Sequence, residues 1–204
     1  MSVKDIHERK GRPSVSGVDA GFGPPGDPSR HLGLEELEAR LRCLPPAARD
    51  SGRVALLVSR RADKVRETPV RVVLRAEIGM PGDAWVRIAR LERDAQLTVM
   101  QADVAAAIAN GQPLTVFGDN LFLDLDLSAE NLPTGSRVRV GGSVLEVTPK
   151  AHNGCRKFAA RFGQEALRFV STPTLRHRNL RGIYMCVVEP GAVAVGDAVG
   201  VLSR

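Results

Sequence analysis

"RVRVGGSVLEVT", residues 137–148, decides the fold class. Two runs alternate apolar and polar residues on either side of Gly141-Gly142, as in two antiparallel strands with one buried face. Both glycines can take positive φ, so a two-residue hairpin turn is predicted there. Just upstream, "NLFLDLDLS" (120–128) sets Leu121, Leu123, Leu125 and Leu127 against Phe122, Asp124 and Asp126. That alternation predicts another strand, with the two aspartates on a solvated face rather than joined to Glu130 in a metal site.

The same period recurs further out. "RVALLVS" (53–59) reads as a buried strand, "VRVVLRAE" (70–77) as a half-buried one, and "AQLTVM" (95–100) as a third. "GIYMCVVEPGAVAVGDAVGVL" (182–202) reads as a meander turning at Pro190-Gly191 and Gly196-Asp197, and "IGMPGDAW" (78–85) as a loop. Helical spacing is confined to "GLEELEARLRC" (33–43), stopped by Pro45 and Pro46, to "ADVAAAIAN" closed by Asn110-Gly111, and to "QEALRFV" (164–170). Many short strands, glycine turns and few helices predict a mainly β fold. The expected form is a closed or partly open β-barrel with a few short flanking helices.

Of the first 30 residues 13 are Gly, Pro or Ser, and the apolar ones show no period. Residues 1–30 are expected to be a disordered leader and 31–204 one domain, with an edge helix in 31–46. No run approaches the roughly 20 apolar residues of a membrane span, and no secretory stretch opens the chain, so a cytoplasmic protein is expected.

The chain carries a formal charge of +6, and residues 149–204 hold nine Lys/Arg against three Asp/Glu. A local positive field suits an anionic ligand such as a phosphate. A basic β-barrel that binds nucleic acid is the competing reading. It is disfavoured because stacking on bases needs aromatic platforms, and the chain has one Trp, one Tyr and six Phe. A non-catalytic interaction module is the third.

Three cysteines, far apart and without a CxxC pair, encourage neither a disulfide framework nor a structural zinc site. Cys43 and Cys186 sit in a helix and a strand pattern and read as small buried residues. Cys155, in "AHNGCRKFAARFG" (151–163), is different. A reactive thiolate needs nearby positive charge, which Arg156, Lys157 and Arg161 can supply. His152 can hydrogen-bond or take the proton, and Gly154 lets a ligand approach the backbone. The alternative is a sulfur buried between Phe158 and Phe162. Arg176, Arg178 and Arg181 in "LRHRNLRG" (175–182) can clamp a phosphate. His7, His31 and His177 read as surface residues. Neither GxSxG nor GxxxxGK[ST] occurs.

In order, "GMPGDAW", "DAQLTVMQADVAAAIA", "GDNLFLDLDLSAENLPTGSRVRVGGSVLEVT", "PKAHNGCRKFAARFGQEALRFV" and "LRGIYMCVVEPGAVAVGDAV" resemble the MOSC family, over about residues 50–202. The family takes its name from the C-terminal domain of eukaryotic molybdenum cofactor sulfurases. The resemblance implies a barrel-like fold with a cleft for the molybdenum cofactor, molybdopterin, or for a sulfur group. It also implies a cysteine that ligates molybdenum or carries persulfide sulfur, here Cys155. Asn120 in "GDNL" and Arg181 in "LRG" match motif positions, and with His152, Asn153, Gly154 and Lys157 they make the expected cofactor-binding set. Asn153 stands where similar members carry threonine. The resemblance further implies either a molybdenum reductase of N-hydroxylated compounds, served by a redox partner, or a sulfur carrier. Some members are fused to a pyridoxal-phosphate cysteine desulfurase. This chain lacks the length for one, so pyridoxal phosphate is not expected and sulfur would come from a separate desulfurase.

Overall fold

A computed structural model describes residues 24–62, 64–88 and 91–204 of the chain. In chain order its strands are β1 (Ser51–Leu57), β2 (Ser59–Arg60), β3 (Arg66–Glu67), β4 (Arg71–Leu74), β5 (Leu97–Gln101), β6 (Leu121–Leu123), β7 (Arg137–Val140), β8 (Ser143–Val147), β9 (Ile183–Glu189), β10 (Gly191–Ala194) and β11 (Ala198–Ser203). Its α-helices are α1 (Leu34–Cys43), α2 (Ala102–Ala109), α3 (Arg156–Phe162) and α4 (Gln164–Ser171).

Seven strands close into a barrel in the order β1-β11-β7-β8-β9-β5-β6. All pairs are antiparallel except β5 with β6. A parallel pair needs a crossover, and α2 lies within it. The hairpin forms as expected, with Val140 opposite Ser143. Of the two glycines only Gly141 takes positive φ, at 55°, and a Cβ there would meet the Asp197 carboxylate at 2.3 Å.

Alternation sorts the side chains into two cores. Leu121, Leu123, Leu125 and Leu127 join Val138, Val140, Leu145 and Val187 inside the barrel. On the outer face Met100 and Phe122 pack beneath a helical layer with Leu37, Ile108, Phe158, Phe162 and Phe169. Strand β5 is buried on both faces because it lies between the two cores, so every one of its residues is covered.

Three expectations need correction. The strand predicted across 120–128 ends at Leu123, and the residues after it run as bends, although Leu125 and Leu127 still point inward. Phe122 does not share a wet face with Asp124, because the helical layer covers it. The C-terminal stretch is not a simple meander, since β10 leaves the barrel to pair with β4.

Residues 1–23 of the expected leader, His7 among them, lie outside the described residues. Residues 24–30 are seated against the helical layer. The Asp27 N–H donates to Gln112 Oε1 at 2.8 Å, and Gly26 lies so close to the Arg161 carbonyl that a Cβ would approach it to 2.0 Å. Among the described residues no helix is long and apolar enough to cross a membrane.

Candidate functional site

Strand register gathers the site. Leu57 at the end of β1 faces Leu121 at the start of β6, Leu121 faces Val99 on β5, and Thr98 faces Tyr184 on β9. One end of the barrel therefore brings together the segment after β1, the segment before β6 and the start of β9. A cavity of about 550 Å³ opens there. Arg60, Arg61, Lys64, Arg66 and Arg87 line one side, and Thr98, Gly118, Asp119 and Tyr184 the floor. His152, Cys155, Lys157, Arg161 and Arg181 complete it. Among the described residues, eight Arg or Lys thus face a single lining carboxylate, Asp119.

The cations are held from beneath. Asp83 is 1% exposed and accepts from the Arg60 backbone N–H at 2.8 Å, from Arg60 Nη2 at 2.5 Å and from the Trp85 N–H at 3.0 Å. Burial alone would push the Asp83 carboxyl up, but the Arg60 hydrogen bond and charge outweigh it and hold the group low. Gly118, at φ +75°, lies where a Cβ would come within 3.2 Å of Arg66 Nη2 and 3.6 Å of Arg161 Nη1. Only glycine combines that backbone with two guanidinium groups laid across it.

On the far wall Phe117 stacks on Phe162 at 4.1 Å between ring centroids and meets Phe158 at 6.0 Å. These contacts pin α3 to the helical layer. Cys155, the residue that caps α3, is left exposed while Phe158 and Phe162 turn into the core. Arg161 Nη1 donates to the Phe117 carbonyl at 2.9 Å, and Arg181 crosses the Phe158 ring at 5.2 Å while pairing with Asp119 at 2.7 Å.

Crowded positive charge marks the electrostatics. Burial, then the neighbouring Arg161 and Arg60, bring the Arg66 guanidinium down to about 10. Burial and Arg181 likewise lower Arg161. Among the described residues, Arg66 Nε and Arg181 Nε are buried without a partner. Such donors gain most from an anion.

His152 is buried too, and burial together with Arg181 and Arg60 brings it down to about 3 against the pull of Asp119. At neutral pH the imidazole is uncharged, so its 3.7 Å approach to Asp119 is neither an ion pair nor a hydrogen bond. Its proton linkage has a definite sign. Between about pH 6.5 and about 3 the unfolded chain binds a proton that the folded chain does not, so His152 makes stability rise with pH there. In His152→Gln the slope of unfolding free energy against pH should fall by up to about 1.4 kcal/mol per unit, read by denaturant unfolding at several pH values in that window.

The structure gathers four of the seven expected site residues, Cys155, His152, Lys157 and Arg181, around the cavity. The other three lie outside its lining. Asn120 is fully buried below the floor: its Oδ1 accepts from Thr98 N at 3.1 Å and its Nδ2 donates to the Val58 carbonyl at 3.3 Å. Gly154 faces α4, where a Cβ would come within 2.5 Å of Leu167, so its bareness serves helix packing and not ligand approach. Asn153 opens onto a different cavity. Cys43 is exposed rather than buried, because it ends α1 about 240° around the helix from Leu37. Arg176 and Arg178 also lie outside the main cavity.

Arg60, Arg66, Arg87, Asp119 and Tyr184 were not singled out by sequence. The run "RRADKVR" (60–66) carried the signal, but a charge balance taken over residues 31–148 averages it away. Among the described residues no three His, Cys, Asp or Glu converge to hold a metal ion.

A closed small barrel thus carries a cationic cavity whose lining includes one exposed thiol. The MOSC domain profile matches residues 81–200, more than half of the chain, which therefore belongs to the MOSC domain family. Among solved structures, the YuaD protein from Bacillus subtilis is 20% identical at a TM-score of 0.54, covering 76% of this chain and 97% of that one. A hypothetical protein is 18% identical at 0.55, covering 76% and 70%. At such identity the likeness speaks for the fold alone. No curated protein matches the chain significantly in sequence.

Proposed function

We propose that the cavity binds the molybdenum cofactor or receives sulfur, with Cys155 as the anchoring atom in either case. The observation that carries this is the set of eight cations around a cavity whose mouth holds the chain's one exposed cysteine on that face. The residues fit the group. Arg66 brings a buried N–H donor, unpaired among the described residues and suited to a phosphate, and Cys155 brings a soft sulfur ligand. When bound, the cofactor would supply two-electron chemistry at the metal, such as reduction of an N-hydroxylated compound. The chain's own part is to fix the phosphate through its guanidinium groups, to present the thiol, and to keep His152 as a neutral hydrogen-bonding wall. In the carrier form, the Cys155 thiolate attacks the outer sulfur of a donor persulfide. A new S–S bond forms at Cys155, and the donor leaves as a thiolate.

Protein purified from a host that makes molybdopterin should carry molybdenum and pterin phosphate at close to one per chain. Protein free of both counts against the cofactor form. Incubation with a cysteine desulfurase and cysteine, followed by a persulfide-specific label, tests the carrier form.

A further inference from the structure

His152 and Arg181 are a shared wall. Behind them lies a second cavity of about 230 Å³, lined also by Asn153, Ser171, Arg176 and Leu180. Its polar groups come from three places: the 151–153 segment, the C-terminal end of α4, and the turn that precedes β9. Among the described residues no carboxylate lines it. The His152 side chain is only 7% exposed, and its Nδ1 is buried with no partner. His152 lines both cavities, and its Nε2 lies 3.7 Å from Asp119, on the floor of the larger one. Arg181 lines both cavities too; its Nη1 pairs with Asp119, while its Nε is buried and unpaired among the described residues. Arg176, Asn153 and Ser171 make no side-chain hydrogen bond among the described residues, so their donors are available as well.

We infer that this smaller cavity is a separate binding site for a phosphate-like tetrahedral oxyanion, held by Arg176 and Arg181 with Asn153, Ser171 and His152 completing its hydrogen bonds. A cationic lining without a carboxylate selects an anion. Donors converging from three segments suit a group with three strong acceptor oxygens better than a planar carboxylate, which two parallel donors satisfy. An imidazole edge can accept from a protonated phosphate oxygen or donate to an ionised one, according to its tautomer. Because the wall is shared, an ion here also draws on Arg181, whose other nitrogen holds the Asp119 carboxylate of the larger cavity. The site does not depend on what that larger cavity holds.

Full-length protein labelled with ¹⁵N-histidine and titrated with inorganic phosphate tests this, with the His152 ring signals assigned by their loss in His152→Gln. The expected result is a saturable His152 shift, weakened about tenfold or more in Arg176→Gln and changed by less than about twofold in Arg66→Gln, whose side chain lines only the larger cavity. Acetate in parallel should bind about tenfold more weakly than phosphate. An unresponsive His152 overturns the proposal. So does a response lost in Arg66→Gln and kept in Arg176→Gln, which moves the ion to the larger cavity, or acetate binding as tightly as phosphate, which makes the site one for carboxylates.

Discussion

Cys155→Ser is expected to lose cofactor or persulfide occupancy by at least about tenfold, since loss of even a supporting outer-shell partner typically costs 10–100-fold in metal affinity. Fold stability should change by no more than about 0.5 kcal/mol, the usual range for an exposed position. The two halves belong together. Cys155 is exposed, while the residues that fix α3, Phe158 and Phe162, are in the core. A hydroxyl keeps the local geometry but is a hard and poorly nucleophilic substitute for sulfur. Molybdenum content, persulfide labelling and a thermal melt on the same preparations read all three quantities. Equal occupancy in variant and wild type would remove Cys155 from the site.

Asp83→Ala should be the most damaging single change to stability, lowering the unfolding free energy by about 3–5 kcal/mol. The carboxylate is almost wholly buried and serves Arg60 and the Trp85 N–H together. Its removal leaves a largely buried guanidinium without its counter-charge, which costs more than the pair contributes. Arg60 also reaches Asn120 at 3.3 Å, and Asn120 in turn fixes Thr98 on β5, so the loss should spread into the floor of the cavity. Asp83→Asn, which loses the charge but keeps one of the two acceptor oxygens that serve the Arg60 and Trp85 N–H groups, should fall between. Urea unfolding with both variants decides this. A cost below about 1 kcal/mol for the alanine variant would mean that Arg60 finds solvent when released.

How much of this was legible in sequence depends on the kind of signal. The hairpin at Gly141, helix α1 and the buried strand at Leu97–Gln101 come from local pattern, because each is decided by residues within a few positions. Helix α3 did not, since "RKFAARF" is short and its apolar residues form an aromatic cluster whose main partner, Phe117, is distant in sequence. The reach of β10 to β4 was hidden for the same reason: strand pairing across more than a hundred residues leaves no local mark. For the site, Cys155, His152, Lys157 and Arg181 were reachable because their residue types and motif context announce chemistry. Asn120 has a motif position but lies beneath the floor, its amide hydrogen-bonded to Thr98 and Val58, and burial of that kind leaves no mark in sequence. Asp119, one residue earlier, is the lining carboxylate, and only the register of β6 against β5 tells the two apart.

The central claim is that an anionic, cation-held group is anchored on the Cys155 sulfur. Native mass spectrometry measures this most directly, on protein from a molybdopterin-making host and on protein treated with a cysteine desulfurase and cysteine. In at least one preparation the wild type should carry the added mass of the cofactor or of one sulfur atom, and Cys155→Ser should carry neither. Wild-type protein at its unmodified mass in both preparations would contradict the account.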